Sequence, residues 1–149
     1  MIEVIQGSAL FCLGLYAGSL LTEGAVLVPI WRRLPAEEFF RMHADIGPRL
    51  FQYFAPITIA GVAAPVIYAG VTLAAGRQSP AFVLAAAGLC IAALLTYPLY
   101  FRSANQRFAD RSISKEALGS ELARWALVHW ARTILVVTAF GCLAFIHRT

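Results

Sequence analysis

Four long apolar segments leave this chain little sequence for anything except a bundle of membrane-crossing helices. They run roughly Ile5–Ile30, Leu50–Ala75, Ala81–Phe101 and Trp125–Ile146. A helix rises about 1.5 Å per residue, so each segment covers the roughly 30 Å hydrocarbon core of a bilayer. Of the 149 residues, 60% are hydrophobic and 13% charged, whereas soluble domains carry about 25% charged residues. The expected fold is all-α, a four-transmembrane-helix bundle forming one domain over residues 1–149. The first apolar run reads as a retained span, not a signal peptide. Glu3 and no Lys or Arg stands ahead of it, and the run is too long for an h-region.

Charge is informative by position. Arg32, Arg33, Arg41 and Arg49 fall between spans one and two; Arg102, Arg107, Arg111, Lys115 and Arg124 fall between spans three and four. The opposite side has only Arg77 and Arg148. Such a bias places both long loops in the cytoplasm and both termini outside, in a multi-pass protein of the inner (plasma) membrane. Membrane lipid is then the surrounding partner. A nucleic-acid partner is not expected, because the basic residues follow topology and no binding module accompanies them. Cys12, Cys90 and Cys142 stand singly in three spans without a CxxC spacing and read as small buried hydrophobes.

Local signals refine the plan. Gly14 and Gly18 form a GxxxG spacing near the stripe of Gly7, a face where a helix can approach closely within the bundle or in a homo-oligomer. Pro29 closes span one, and Trp31-Arg32-Arg33 suits an interface. Pro35–Ile46 reads as a short amphipathic helix in the first cytoplasmic loop, with Glu37 and Glu38 in its first turn and Phe39, His43 and Ile46 on one face. Gly47-Pro48 is expected to break it and start span two, which Pro56 and Pro65 should kink. Gly76–Pro80 reads as an outer turn and Arg102–Ser114 as a loop. Ser114 can cap a helix from Lys115, a cytoplasmic extension of helix four in which Glu121 and Arg124 pair at i,i+3.

The chemistry-bearing residues are the polar ones inside the spans. An ionisable side chain there costs at least about 2.5 kcal/mol. Counted inward from the cytoplasmic ends at the helical rise, Glu23 lies about 12 Å deep, Arg132 about 10 Å, Tyr97 about 7 Å, and His129 and Tyr53 about 6 Å. Four helices thus bring these groups to similar depth, with His43 and Asn105 near the mouth. Trp125, His129 and Arg132 recur at i, i+4 and i+7 and share a face that should point inward. Glu23 is the natural partner of Arg132. The cluster fits a pocket for an apolar small molecule or, without any ligand, a lock between helices one and four. Glu23, His43 and His129 also have donor types for a metal, and His43 with His129 for haem, although no ligand spacing supports either. No phosphate loop or nucleophile elbow is present.

Two stretches carry a family resemblance. The run Tyr16-Ala17-Gly18-Ser19-Leu20-Leu21-Thr22-Glu23-Gly24, ending at Pro29, resembles the first helix of the anthrone oxygenase-like family of small four-helix membrane proteins. Trp125-Ala126-Leu127-Val128-His129-Trp130-Ala131-Arg132-Thr133 resembles the W-x3-[HN]-x2-R pattern of that family's last helix, and Asn105 after span three fits as well. The resemblance implies oxidation of anthrones to anthraquinones by molecular oxygen without a bound redox cofactor. It carries Asn105, Trp125, His129 and Arg132 into the site. Chemically, such a site needs an apolar slot, a base and an oxyanion donor. His129 is the expected base, Arg132 or Asn105 the donor, and Trp125, Tyr53 and Tyr97 the surfaces against a flat substrate, with Glu23 and His43 beside it.

Overall fold

The computed structural model describes residues 1–76 and 81–146. The expected turn through Arg77–Pro80, and Arg148, lie outside the described residues. Four helices, each long and apolar enough to cross a membrane, make up the fold: α1 (Ile2–Trp31), α2 (Ala36–Ala74), α3 (Ala81–Ala109) and α4 (Lys115–Ile146). Among the described residues there is no β-strand. Helix α1 packs on α2, α2 on α3, α3 on α4, and α4 returns to α1. The result is a closed up-and-down ring. Phe11, Ile67, Leu127 and Ile134 are among many large apolar side chains exposed on its outer face. Such a face suits hydrocarbon, not water.

The core has two parts. Toward the chain termini it is built of small and aliphatic residues, among them Ala9, Leu13, Ala86, Ala139 and Leu143. Toward the other end, where residues 32–35 and 110–114 connect the helices, it is aromatic, with Trp31, Phe39, Phe101, Phe108 and Trp125.

Several boundaries differ from the sequence expectation. Gly47-Pro48 does not break the chain; α2 runs unbroken from Ala36 and holds Pro48, Pro56 and Pro65 inside it. A proline forfeits only its own ladder bond, and packing compensates. Here Phe39 and Phe40 are buried, and the Phe39 and His43 rings meet Phe108 of α3 at 5.2 and 5.5 Å. The amphipathic segment is therefore the docked first turns of α2. Pro29 likewise does not end α1, which continues to Trp31. Arg102–Ala109 is helical instead of looped. Ser114 Oγ accepts from the Ala117 N–H, as a cap should. Glu121 pairs with Arg107 at 2.6 Å and accepts from the Tyr100 hydroxyl, not from Arg124, whose guanidinium sits over the Tyr100 ring.

The glycine face is also corrected. A Cβ at Gly7 or Gly18 would meet nothing within 4 Å. Close approach occurs at Gly14 against Phe140, at Gly24 against His129, and most tightly at Gly61, where a Cβ would stand 2.6 Å from Tyr16 Cβ.

Candidate functional site

The helical ladder is interrupted twice, by π-helical turns at Glu23–Leu27 in α1 and Tyr97–Phe101 in α3. The Val28 N–H bonds to the Glu23 carbonyl and the Arg102 N–H to the Tyr97 carbonyl, each five residues back. A proline accompanies each turn: Pro29 follows the first and Pro98 lies within the second. Without an N–H, and with a ring pressing on the carbonyl four residues back, proline favours such a widened turn. Glu23, Tyr97 and Phe101 from these turns all line one cavity.

That cavity has a volume of about 760 Å³ and is walled by all four helices. Its lining is mainly apolar. The α2 wall is one face of that helix from His43 to Ile59, a path of roughly 24 Å at the helical rise. Trp31, Asn105 and Trp125 stand at the connection end, Glu23 and Arg132 midway, and Tyr16, Thr58 and Ala93 deepest.

The charged groups form a compact unit. Arg132 Nη2 lies 3.4 Å from Glu23 Oε2 and 3.0 Å from His129 Nδ1. Guanidinium only donates, so Nδ1 accepts. His129 Nε2 lies 3.0 Å from the Leu20 carbonyl oxygen, an acceptor, so Nε2 carries the hydrogen. The ring is neutral in this arrangement, with both nitrogens engaged. Gly24 makes the approach feasible, because a Cβ there would stand 3.0 Å from Nε2. The Arg132 guanidinium also lies 4.3 Å from the Phe101 ring centroid, a cation–π contact. Trp125 Nε1 donates to Asn105 Oδ1 at 3.0 Å, and Trp125 stacks on His129 at 5.2 Å with an 8° interplanar angle.

Glu23, His43, Tyr97, Asn105, Trp125 and Arg132 thus share the cavity wall, while two expected residues do not. His129 is fully buried behind Trp125 and does not line the cavity, so it is not placed to take a proton from a bound molecule. Tyr53 is 56% exposed and lines a separate groove of about 420 Å³ on the α1–α2 seam. That groove touches the main cavity only through Glu23, Leu50 and Phe54, which line both. The metal set is corrected too: among the described residues no three His, Cys, Asp or Glu side chains come together to hold an ion. Haem ligation by His129 would break one of its two hydrogen bonds.

Sequence reasoning missed Tyr16. Its side chain is fully buried, lines the deep end of the cavity, and its hydroxyl has no hydrogen-bond partner among the described residues. The signal was the spacing: Tyr16 stands two turns before Glu23, at i and i+7, on the same helical face.

By fold and site the chain is an all-helical bundle of four helices able to cross a membrane, with an apolar cavity between them and a buried Glu–Arg pair on its wall. No protein-family model, curated protein or solved structure matches it.

Proposed function

We propose that the chain is a small membrane oxygenase of the anthrone oxygenase-like kind, acting on a flat apolar aromatic or quinone-like compound with molecular oxygen. Its basic connections face the cytoplasm and its termini the outside, in keeping with the positive-inside bias. The observation that carries this reading is the cavity itself: about 760 Å³, mainly apolar, with the Glu23–Arg132 pair on its wall at mid-depth. A greasy planar molecule reaches such a site from lipid and needs only a few fixed polar groups to orient it.

In this reading Glu23 replaces His129 as the base. Its Oε2 faces Arg132 and His129, and among the described residues nothing bonds Oε1. The methylene C–H of an anthrone breaks, its proton goes to Glu23, and the enolate oxygen is stabilised by Arg132. The enolate passes electrons to oxygen, a C–O bond forms at the same carbon, the peroxide anion takes the proton back from Glu23, and the resulting hydroperoxide loses water to give the ketone. One anthrone and one O2 yield one anthraquinone and one water. His129 holds the Arg132 guanidinium, and Trp125, fixed by Asn105, presents a flat wall.

The test is oxygen uptake with anthrone by the purified protein in lipid nanodiscs, against empty nanodiscs. Turnover above that background is expected, and Glu23→Gln should lower it about 10²-fold or more while the protein stays folded. Undiminished turnover in the variant would remove Glu23 from the chemistry. Neither turnover nor binding in the wild type would remove the oxygenase reading altogether.

A further inference from the structure

The deep end of the cavity presents a polar group that the protein itself leaves without a partner. Tyr16 is fully buried, and among the described residues its hydroxyl has no partner at hydrogen-bond geometry. Thr58 of α2 lines the cavity at the same level. A buried polar group with no partner is costly and calls for an explanation, such as a ligand that completes it. Gly61 packs against the base of Tyr16, with Tyr16 Cβ, Cδ1 and Cγ 2.6 to 2.9 Å from where a Cβ would stand. A smaller residue would have filled this layer without stranding a hydroxyl, as Leu13 and Leu20 do on the same helix.

The second polar point of the cavity lies two helical turns away, at Glu23 and Arg132. Seven residues at the helical rise make roughly 10 Å between the two levels. Between them the wall is apolar, with Leu20, Ala93 and Leu94. A molecule that touches both must be rigid or extended, apolar in its middle, and oxygenated at two places.

We propose that Tyr16 is a specificity-determining residue which donates a hydrogen bond to an oxygen acceptor of the ligand, and that the ligand is a flat compound with two oxygen functions, the other facing Arg132 and Glu23. This deepens the reading given under Proposed function and rests on it. The class so defined is the quinone or hydroxy-ketone type, as opposed to a plain aromatic hydrocarbon.

Three isosteric tricycles test it: anthracene without oxygen, anthrone with one, and 9,10-anthraquinone with two. Binding to the protein in nanodiscs is followed by quenching of tryptophan fluorescence, since Trp31 and Trp125 line the cavity. The wild type should bind anthraquinone more tightly than anthracene. Tyr16→Phe keeps the ring and removes only the hydroxyl. It should weaken anthraquinone binding about ten-fold, leave anthracene binding unchanged, and leave the thermal midpoint equal or higher. Equal loss for both ligands would make Tyr16 a packing residue and overturn the proposal. So would unchanged anthraquinone binding, or a variant with a lowered thermal midpoint, which would reveal an internal partner for the hydroxyl. Wild-type protein that binds none of the three would take the proposal down together with the function it rests on, an outcome distinct from the others.

Discussion

The two ends of this bundle use the same four helices and the same apolar exterior, yet the cavity lies toward the connections. Toward the termini the inward positions are Ala9, Ala86, Cys90, Val136 and Ala139, all essentially without exposure. Small side chains let helix backbones approach and fill the space between them. Toward the connections the inward positions are Trp31, Phe39, Phe101, Phe108 and Trp125. Their rings meet edge to face, as in Trp31–Trp125 at 5.7 Å and 74° or Phe101–Trp125 at 5.1 Å and 72°. Such contacts hold helices apart at ring width. The polar groups lie where the two regimes meet, and so do both π-helical turns. A bundle of alanine layers has no room for a ligand. Aromatic struts and two widened turns, set by Pro29 and Pro98, create it.

The largest expected effect comes from removing a charge from the hollow end. Arg132→Met leaves Glu23 buried and unpaired, with its partner's side chain only 12% exposed and its own 8%. Breaking one half of a buried pair costs about 3–5 kcal/mol. Chemical or thermal unfolding in detergent should show that loss, and Glu23→Gln in the same chain should restore most of it. A single Arg132→Met variant as stable as the wild type would mean that Glu23 reaches water, and the hollow end would then be an open vestibule.

Next in size is the boundary itself. Gly61→Ala forces a methyl group to within 2.6 Å of Tyr16 Cβ, an atom held by the α1 backbone and unable to swing away. Overpacking of this kind costs about 1–3 kcal/mol, and the upper figure is expected. In a Tyr16→Gly background the added cost of Gly61→Ala should largely vanish, because the clashing Cβ is gone. Additive losses in the double variant would show that the α1–α2 contact at this level is not a direct one.

These contrasts explain what was legible in the chain beforehand. Four helices followed from apolar length alone, and the Glu23–Arg132 partnership followed from the cost of isolated charge in hydrocarbon. Asn105 and Trp125, both expected at the site, are joined by a hydrogen bond. The helix boundaries were less legible, because Gly47-Pro48 reads as a breaker locally. The anchoring of Phe39 that keeps α2 continuous comes from Phe108, almost seventy positions along the chain. The role of His129 was hidden for a different reason. The i, i+4, i+7 stripe fixes a shared face but not which member sits at its centre. The central residue is sealed against α1, and the flanking Trp125 and Arg132 reach the cavity. Tyr53 is similar: it stands on α2 between Leu50 and Phe54, which line the cavity, but a residue's level says nothing about the direction its side chain takes around the helix.

The smallest expected effect separates the glycines that the bundle needs from those it merely contains. Gly18 lies in the GxxxG spacing, but a Cβ there meets nothing within 4 Å. Gly18→Ala should therefore be neutral or stabilising by about 0.5 kcal/mol, since alanine restricts the unfolded chain and clashes with nothing. Gly24 has no motif to mark it, yet its Cβ would stand 3.0 Å from His129 Nε2 and 3.1 Å from Trp130 Cζ2. Gly24→Ala must displace the imidazole or stretch its bond to the Leu20 carbonyl, at about 1 kcal/mol. Paired thermal midpoints of the two variants in the same detergent decide the matter. If Gly18→Ala proves the more damaging, its open face is covered by a second copy of the chain, and the close approach that matters lies between bundles. If Gly24→Ala is, the small residue serves the hollow end from within, by letting α4 press its histidine onto α1.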